Sequence, residues 1–131
     1  MTLHGPPAQE YVCARLQGVE VNVLVGLHPW ELHPERPTRL LVDVQLYALG
    51  PPRPVNGLAD VIDYDRVRNF ILTWEQRPHT PLLETLAQEL VEFGLGDPLV
   101  DAVRVALTKP DIFNEALGAG VEIFRKRSNA A

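Results

Sequence analysis

Residues 19–25 read Val19-Glu20-Val21-Asn22-Val23-Leu24-Val25, and this stretch sets the frame for the rest of the chain. Its valines fall at every second position, with Glu20, Asn22 and Leu24 between them. A period of two in β-branched residues marks a strand with one buried face. Leu40, Val42, Val44 and Leu46 repeat the pattern against Arg39, Leu41, Asp43 and Gln45. They predict a second strand, antiparallel to the first and joined to it by a loop over residues 27–37.

The period then changes. Val67, Phe70, Ile71 and Trp74 stand at i, i+3, i+4 and i+7, one face of a helix. Asp63 or Asp65 can supply the carboxylate that a helix N-terminus favours. Thr80 and Pro81 read as the N-cap and first residue of a second helix. Its apolar stripe is Leu82, Leu83, Leu86, Leu90 and Phe93, ended by Gly94 or Gly96. Val103, Val105 and Leu107, then Val121 and Ile123, return to period two. The order ββααββ predicts an α+β fold, a four-stranded antiparallel sheet with both helices on one face. Leu24, Leu41, Ala102 and Ala106 put apolar groups on the other face. Unpaired edges and a half-apolar second face call for a homo-oligomer that closes sheets edge to edge.

Composition narrows the function. The 131 residues predict one domain over 1–131, with its core at about 12–127. Hydrophobic residues at 46% and charged residues at 22% describe a globular chain. A net charge of −5 gives no electrostatic reason to bind nucleic acid. No apolar run approaches the ~20 residues of a membrane span, and the first residues lack a basic n-region. The expectation is a cytoplasmic protein with neither nucleic acid nor membrane as partner. The single cysteine, Cys13, excludes an internal disulfide framework and a multi-cysteine zinc site. His28 and His33 lie in one loop, and His4 and His79 lack paired-ligand spacing, so no metal is expected. Twelve prolines punctuate the chain at predicted element boundaries, and residues 1–10 and 128–131 read as frayed ends.

Four places hold polar groups that packing alone does not require: Gly26-Leu27-His28-Pro29-Trp30-Glu31, Ile62-Asp63-Tyr64, Leu82-Leu83-Glu84-Thr85-Leu86 and Leu107-Thr108-Lys109-Pro110. Singly, each has an ordinary explanation. Glu31 could be solvated, Tyr64 could keep a wet hydroxyl, Glu84 could complement a helix dipole, and Lys109 could guard a strand edge. Their order and spacing, however, resemble the bacterial dihydroneopterin aldolase family over roughly residues 12–127. The Trp-Glu pair at 30–31, the run from Asp60 to Tyr64, Leu82 to Glu89, Leu107 to Pro110 and the closing Gly120 to Ile123 carry the likeness.

The resemblance implies the family's tunnelling fold, assembled as an oligomeric β-barrel, a tetramer or octamer with sites between subunits. It implies that Glu84 anchors the pterin ring, helped by backbone near Leu83, Ile62 and Asp63. Lys109 would move protons through an ordered water, Tyr64 would protonate or release the enol, and Glu31 would set the charge state of Lys109. Neither cofactor nor metal is implied. Dihydroneopterin carries a C6=N5 imine beside the breaking bond, so the retro-aldol step has its electron sink in the substrate. A lysine Schiff base or zinc is then unnecessary.

The chain departs from the family pattern between Glu31 and Asp43, where it is two residues longer and carries Pro34 and Pro37. Glu35 is therefore a second candidate for the loop carboxylate. The leading expectation is an aldolase giving 6-hydroxymethyl-7,8-dihydropterin and glycolaldehyde in folate biosynthesis. A 2′-epimerase of dihydroneopterin or its triphosphate would use the same residues, with Arg36, Arg39 and Arg66 available for phosphate. A non-catalytic pterin-binding module would need Glu84 but not Lys109.

Overall fold

In the computed structural model, which describes residues 9–128, strand β1 runs over Tyr11–Val23 and β2 over Thr38–Leu49. Helices α1 (Tyr64–Leu72) and α2 (Leu83–Leu95) follow, then strands β3 (Ala102–Lys109) and β4 (Ala119–Lys126). The sheet order is β1-β2-β3-β4, each pair antiparallel. The expected ββααββ order therefore holds. The frayed ends expected at 1–10 and 128–131 fall mostly outside the described residues, as do His4, Pro6 and Pro7.

One face of the sheet makes the core. Val21, Val23, Leu40, Val42, Val44, Val105 and Leu107 are fully buried, together with Leu86 and Leu90 of α2 and Ile71 of α1. Each such side chain contributes about 1.5–3 kcal/mol relative to exposure. Asp63 caps α1, its carboxylate accepting the Asp65 N–H at 3.0 Å. A 3-10 turn, Thr73–Gln76, extends α1 and carries Trp74 into the core.

Three expectations need correction. Strand β1 begins at Tyr11, well before Val19. Leu16 pairs with Val44 and Val19 with Val42, so β1 holds one extra residue there. Gly18 absorbs this bulge at φ +64, and its N–H donates to Asp43 at 2.7 Å. Such an insertion reverses the alternation: Ala14 and Leu16 face the core before it, Val19 and Val21 after it. The phase change hid the first half of the strand from a period-two reading.

The second correction concerns α2. Its cap position is Leu82, not Thr80, and Pro81 lies outside the helix. Thr80 is instead buried and makes a parallel bridge to Val25. The loop at 27–37 likewise contains a 3-10 turn over Pro29–Leu32.

The third correction concerns the second sheet face: Leu41, Ala102 and Ala106 lie on it as expected, but ion pairs share it. Arg39 meets Glu20 and Asp111, each at 2.9 Å, and Arg104 meets Glu122 at 3.1 Å. Apolar contact gathers at one end, where Tyr11 stacks edge-on to Tyr47 at 5.2 Å and Tyr47 to Phe124 at 6.1 Å. Leu24 lies just beyond the end of β1. No partner strand among the described residues covers the outer edge of β1 or of β4.

Candidate active site

Strand parity delivers Lys109. Val103, Val105 and Leu107 point toward the helices, so Lys109, next in that series, lies on the core side. Pro110 follows at once and the strand ends there. Because β3 lies between β2 and β4, Lys109 guards no edge. It is only 9% exposed.

Its partner comes from the turn after β1. Glu31, 3% exposed, sits in the 3-10 turn begun by Pro29. Glu31 Oε2 accepts from Lys109 Nζ at 2.6 Å, and Oε1 accepts the His28 N–H at 3.1 Å. The Glu31 N–H in turn donates to the His28 carbonyl at 2.8 Å. A buried charge must be paired and hydrogen-bonded, and both conditions are met here. The solvated reading of Glu31 therefore fails, and Glu31 rather than Glu35 meets the lysine. Glu35 is exposed and lies 3.4 Å from His33.

Gly26 makes room for the pair. Its φ is +124, and a Cβ built on it would collide with Glu31 Oε1. The Glu31 carboxylate occupies the space that a side chain at position 26 would need. The corner itself is held from several sides. The Gly26 N–H donates to the Thr80 carbonyl at 3.2 Å, and the Thr80 N–H to the Leu24 carbonyl at 2.9 Å. Thr38 Oγ1 donates to the Val25 carbonyl at 3.2 Å, and the His79 ring meets the Gly26 carbonyl at 3.0 Å. This clasp joins the end of β1 to the segment entering α2. Sequence reading missed it, because Thr80 looks like a cap and no pattern announces a single parallel bridge.

The pair opens on a hollow of about 250 Å³, lined by Trp30, Arg36, Pro37, Thr38, Arg39, Asp111 and Ile112 as well. Arg39 grips Asp111 through Nε and Nη2, at 2.9 and 3.3 Å. That guanidinium holds the Asp111 carboxyl below the usual carboxylate range. Arg36 lines the same hollow, and no ion pair engages it among the described residues. Arg66 is elsewhere, 4.1 Å above the Phe93 ring with Nη2 donating to the Phe93 carbonyl.

The remaining predicted residues stand apart from the pair. Glu84 is exposed in the first turn of α2, just after the buried Leu83. Tyr64, the first residue of α1, is 49% exposed. Ile62 is half-buried against the core, while Asp63 lines a different hollow with Arg66 and Leu99. Among the described residues no side-chain hydrogen bond links Tyr64 or Glu84 to Lys109 or Glu31.

This arrangement can be set beside known proteins. The sequence profile of the FolB dihydroneopterin aldolase family matches residues 14–124. The chain belongs to the dihydroneopterin aldolase family. The family's reaction is that of a lyase. Among solved structures, a Vibrio cholerae protein carrying the FolB name has TM-score 0.75 and 28% identity, covering 88% of this chain and 98% of that one. A Burkholderia thailandensis dihydroneopterin aldolase bound to guanine has TM-score 0.74 and 28% identity, covering 90% and 93%. The Escherichia coli enzyme in complex with neopterin, 21% identical and covering 87% and 98%, shares the fold at TM-score 0.71. No curated protein matches the chain at a significant level. No helix among the described residues is long and apolar enough to cross a membrane.

Proposed function

We propose that this dihydroneopterin aldolase family member cleaves 7,8-dihydroneopterin by acid–base chemistry. The observation that carries the reading is the buried Lys109–Glu31 pair, 2.6 Å apart and open to a hollow. An ammonium and a carboxylate in contact inside a cleft can pass a proton in either direction to a bound hydroxyl or water.

The reaction asks for little else. A proton leaves the C2′ hydroxyl, the C1′–C2′ bond breaks, and glycolaldehyde departs. The electron pair runs into the C6=N5 imine, and N5 takes a proton. A proton then reaches C1′ and N5 gives one up, yielding 6-hydroxymethyl-7,8-dihydropterin. Glu31 takes a proton from the Lys109 ammonium, and the neutral amine, through water, receives the hydroxyl proton. Tyr64 serves the enol. Glu84 accepts two hydrogen bonds from the 2-amino group and the neighbouring ring N–H of the pterin, with backbone near Leu83, Ile62 and Asp63 completing the cradle. Guanine, the ligand of the Burkholderia relative, presents the same amino-oxo edge. That supports an edge-reading carboxylate here.

Tyr64 and Glu84 lie exposed and unengaged in a single chain. With the outer edges of β1 and β4 free, this supports a ring of copies, a tetramer or octamer, in which one copy's Tyr64 serves a neighbour's Lys109. We place the enzyme in the cytoplasm, in folate biosynthesis, as a single domain. The test is incubation with 7,8-dihydroneopterin and assay of both products. Binding of the pterin without release of glycolaldehyde would sink the aldolase reading and leave a binding module.

One observation favours a second reading, epimerisation at C2′ of a phosphorylated substrate. Arg36 reaches the hollow beside Lys109 without an ion-pair partner, whereas Arg39 is committed and Arg66 lies elsewhere. Faster turnover of dihydroneopterin triphosphate than of dihydroneopterin, with inversion at C2′, would decide for it.

A further inference from the structure

We propose that His79 is a positioning residue for the Lys109–Glu31 pair, acting through the carbonyl of Gly26. The inference rests on the function proposed above and adds a residue that the mechanism does not use. His79 lies four residues before Leu83, the first residue of α2, and is exposed over much of its surface. Among the described residues its one side-chain hydrogen bond is Nε2 to the Gly26 carbonyl at 3.0 Å. A carbonyl only accepts, so Nε2 carries the proton and donates.

Gly26 is buried, and its Cα faces the Glu31 carboxylate closely enough that a Cβ would collide with it. Any rotation of the Gly26 peptide therefore presses on, or withdraws from, the group that holds Lys109. Two backbone bonds of the clasp, Gly26 N–H to Thr80 and Thr80 N–H to Leu24, fix the strand side of that corner. They leave the Gly26 carbonyl free to tilt. His79 is the side chain that stops the tilt. Because the same segment runs straight into α2, the clasp also carries the proton-moving pair and the Glu84 turn on one frame.

The two jobs can be separated. Loss of the imidazole leaves the backbone bonds, and with them Glu84, in place. Only the seat of Glu31 loosens. Misplacement of a reacting group by about 1 Å can cost up to ~100-fold in rate, so a partial tilt is read as a loss of roughly 10-fold in kcat. KM stays within about twofold, because ring binding does not pass through the carbonyl.

The experiment measures kcat, KM and the pH–rate profile of the full-length protein, His79→Ala and His79→Gln, with thermal melts alongside. The glutamine amide keeps an N–H that can reach the carbonyl but cannot titrate. The expected result is a lower kcat with unchanged KM in His79→Ala. Glutamine should recover most of the rate, and the wild-type pH profile should persist in His79→Gln. An unaffected His79→Ala overturns the inference while wild-type turnover leaves the aldolase reading standing. So does an altered pH profile in His79→Gln, which would make His79 a proton carrier. A failure of glutamine to recover the rate also overturns it. If the wild-type protein releases no glycolaldehyde, the functional reading fails and this inference falls with it.

Discussion

Lys109 and Glu31 lie 78 positions apart in sequence, yet meet inside one chain, out of water and with their hydrogen bonds made. Tyr64 and Glu84 are also on well-formed elements, at the first turns of α1 and α2, yet both stand in solvent. The difference separates two kinds of functional group. Charges held out of water need a fixed partner, and the fold provides it before any ligand arrives. Groups left in solvent, as Tyr64 and Glu84 are, stay uncommitted in the single chain. The buried half should therefore report in both stability and turnover, and the exposed half in turnover or affinity alone.

The largest effect should come from Lys109→Ala. Turnover is expected to fall by roughly 10²–10⁴-fold, the range for a lost acid–base group, while pterin binding by titration persists. The same change strands the Glu31 carboxylate, so the unfolding free energy should drop by about 3–5 kcal/mol. A Lys109→Met, Glu31→Leu double variant should be more stable than Lys109→Ala by urea titration, and equally inactive. Equal stability would mean that the pair is not truly buried in the working enzyme.

Glu84→Gln should weaken pterin binding by about 10–100-fold, since a hydrogen bond to a charged group contributes roughly 1.5–3 kcal/mol. Its melting temperature should not move. Tyr64→Phe should lower turnover at least ~10-fold and leave stability within about 0.5 kcal/mol, as for an exposed position. Mixing Tyr64→Phe with Lys109→Ala chains should restore activity that neither has alone, because a mixed ring contains some intact sites. A mixture as inactive as its parts would place Tyr64 and Lys109 in one chain's site.

Gly26→Ala probes the border of the two halves. Strain at φ +124, together with the displaced Glu31 carboxylate, should destabilise the protein by about 1–3 kcal/mol, with a fall in kcat measured in the same preparation. The smallest effect concerns Cys13. Burial pushes its thiol above the usual value, so less thiolate exists at any given pH. Alkylation at neutral pH should be slower than for an unfolded control and should rise only at more alkaline pH.

Much of this was readable beforehand, for identifiable reasons. The valines of β1, the Leu40–Leu46 alternation and the leucine stripe of α2 carry periodic burial, which sequence displays directly. Lys109 and Glu31 could be picked out by the resemblance, but not their burial or contact, since nothing local in a proline-rich turn says that it folds over a strand end. The first half of β1 was lost to the bulge, which shifts the phase of an otherwise regular pattern. Thr80 was misread because a threonine before a proline and a leucine run satisfies the capping pattern, while the parallel bridge that claims it is a long-range event. The clasp around Gly26 is of the same kind.

The bulge at Gly18 has an effect beyond its own turn. It divides the long outer strand into two ladders, Tyr11–Leu16 and Val19–Val23, set out of phase with one another. An incoming segment that follows one ladder meets the other out of step, unless its own path accommodates the offset. A free margin built this way works as a gauge. It suits the proposed neighbouring copy if that strand has a matching contour, and it discourages the indefinite stacking that a smooth margin would invite.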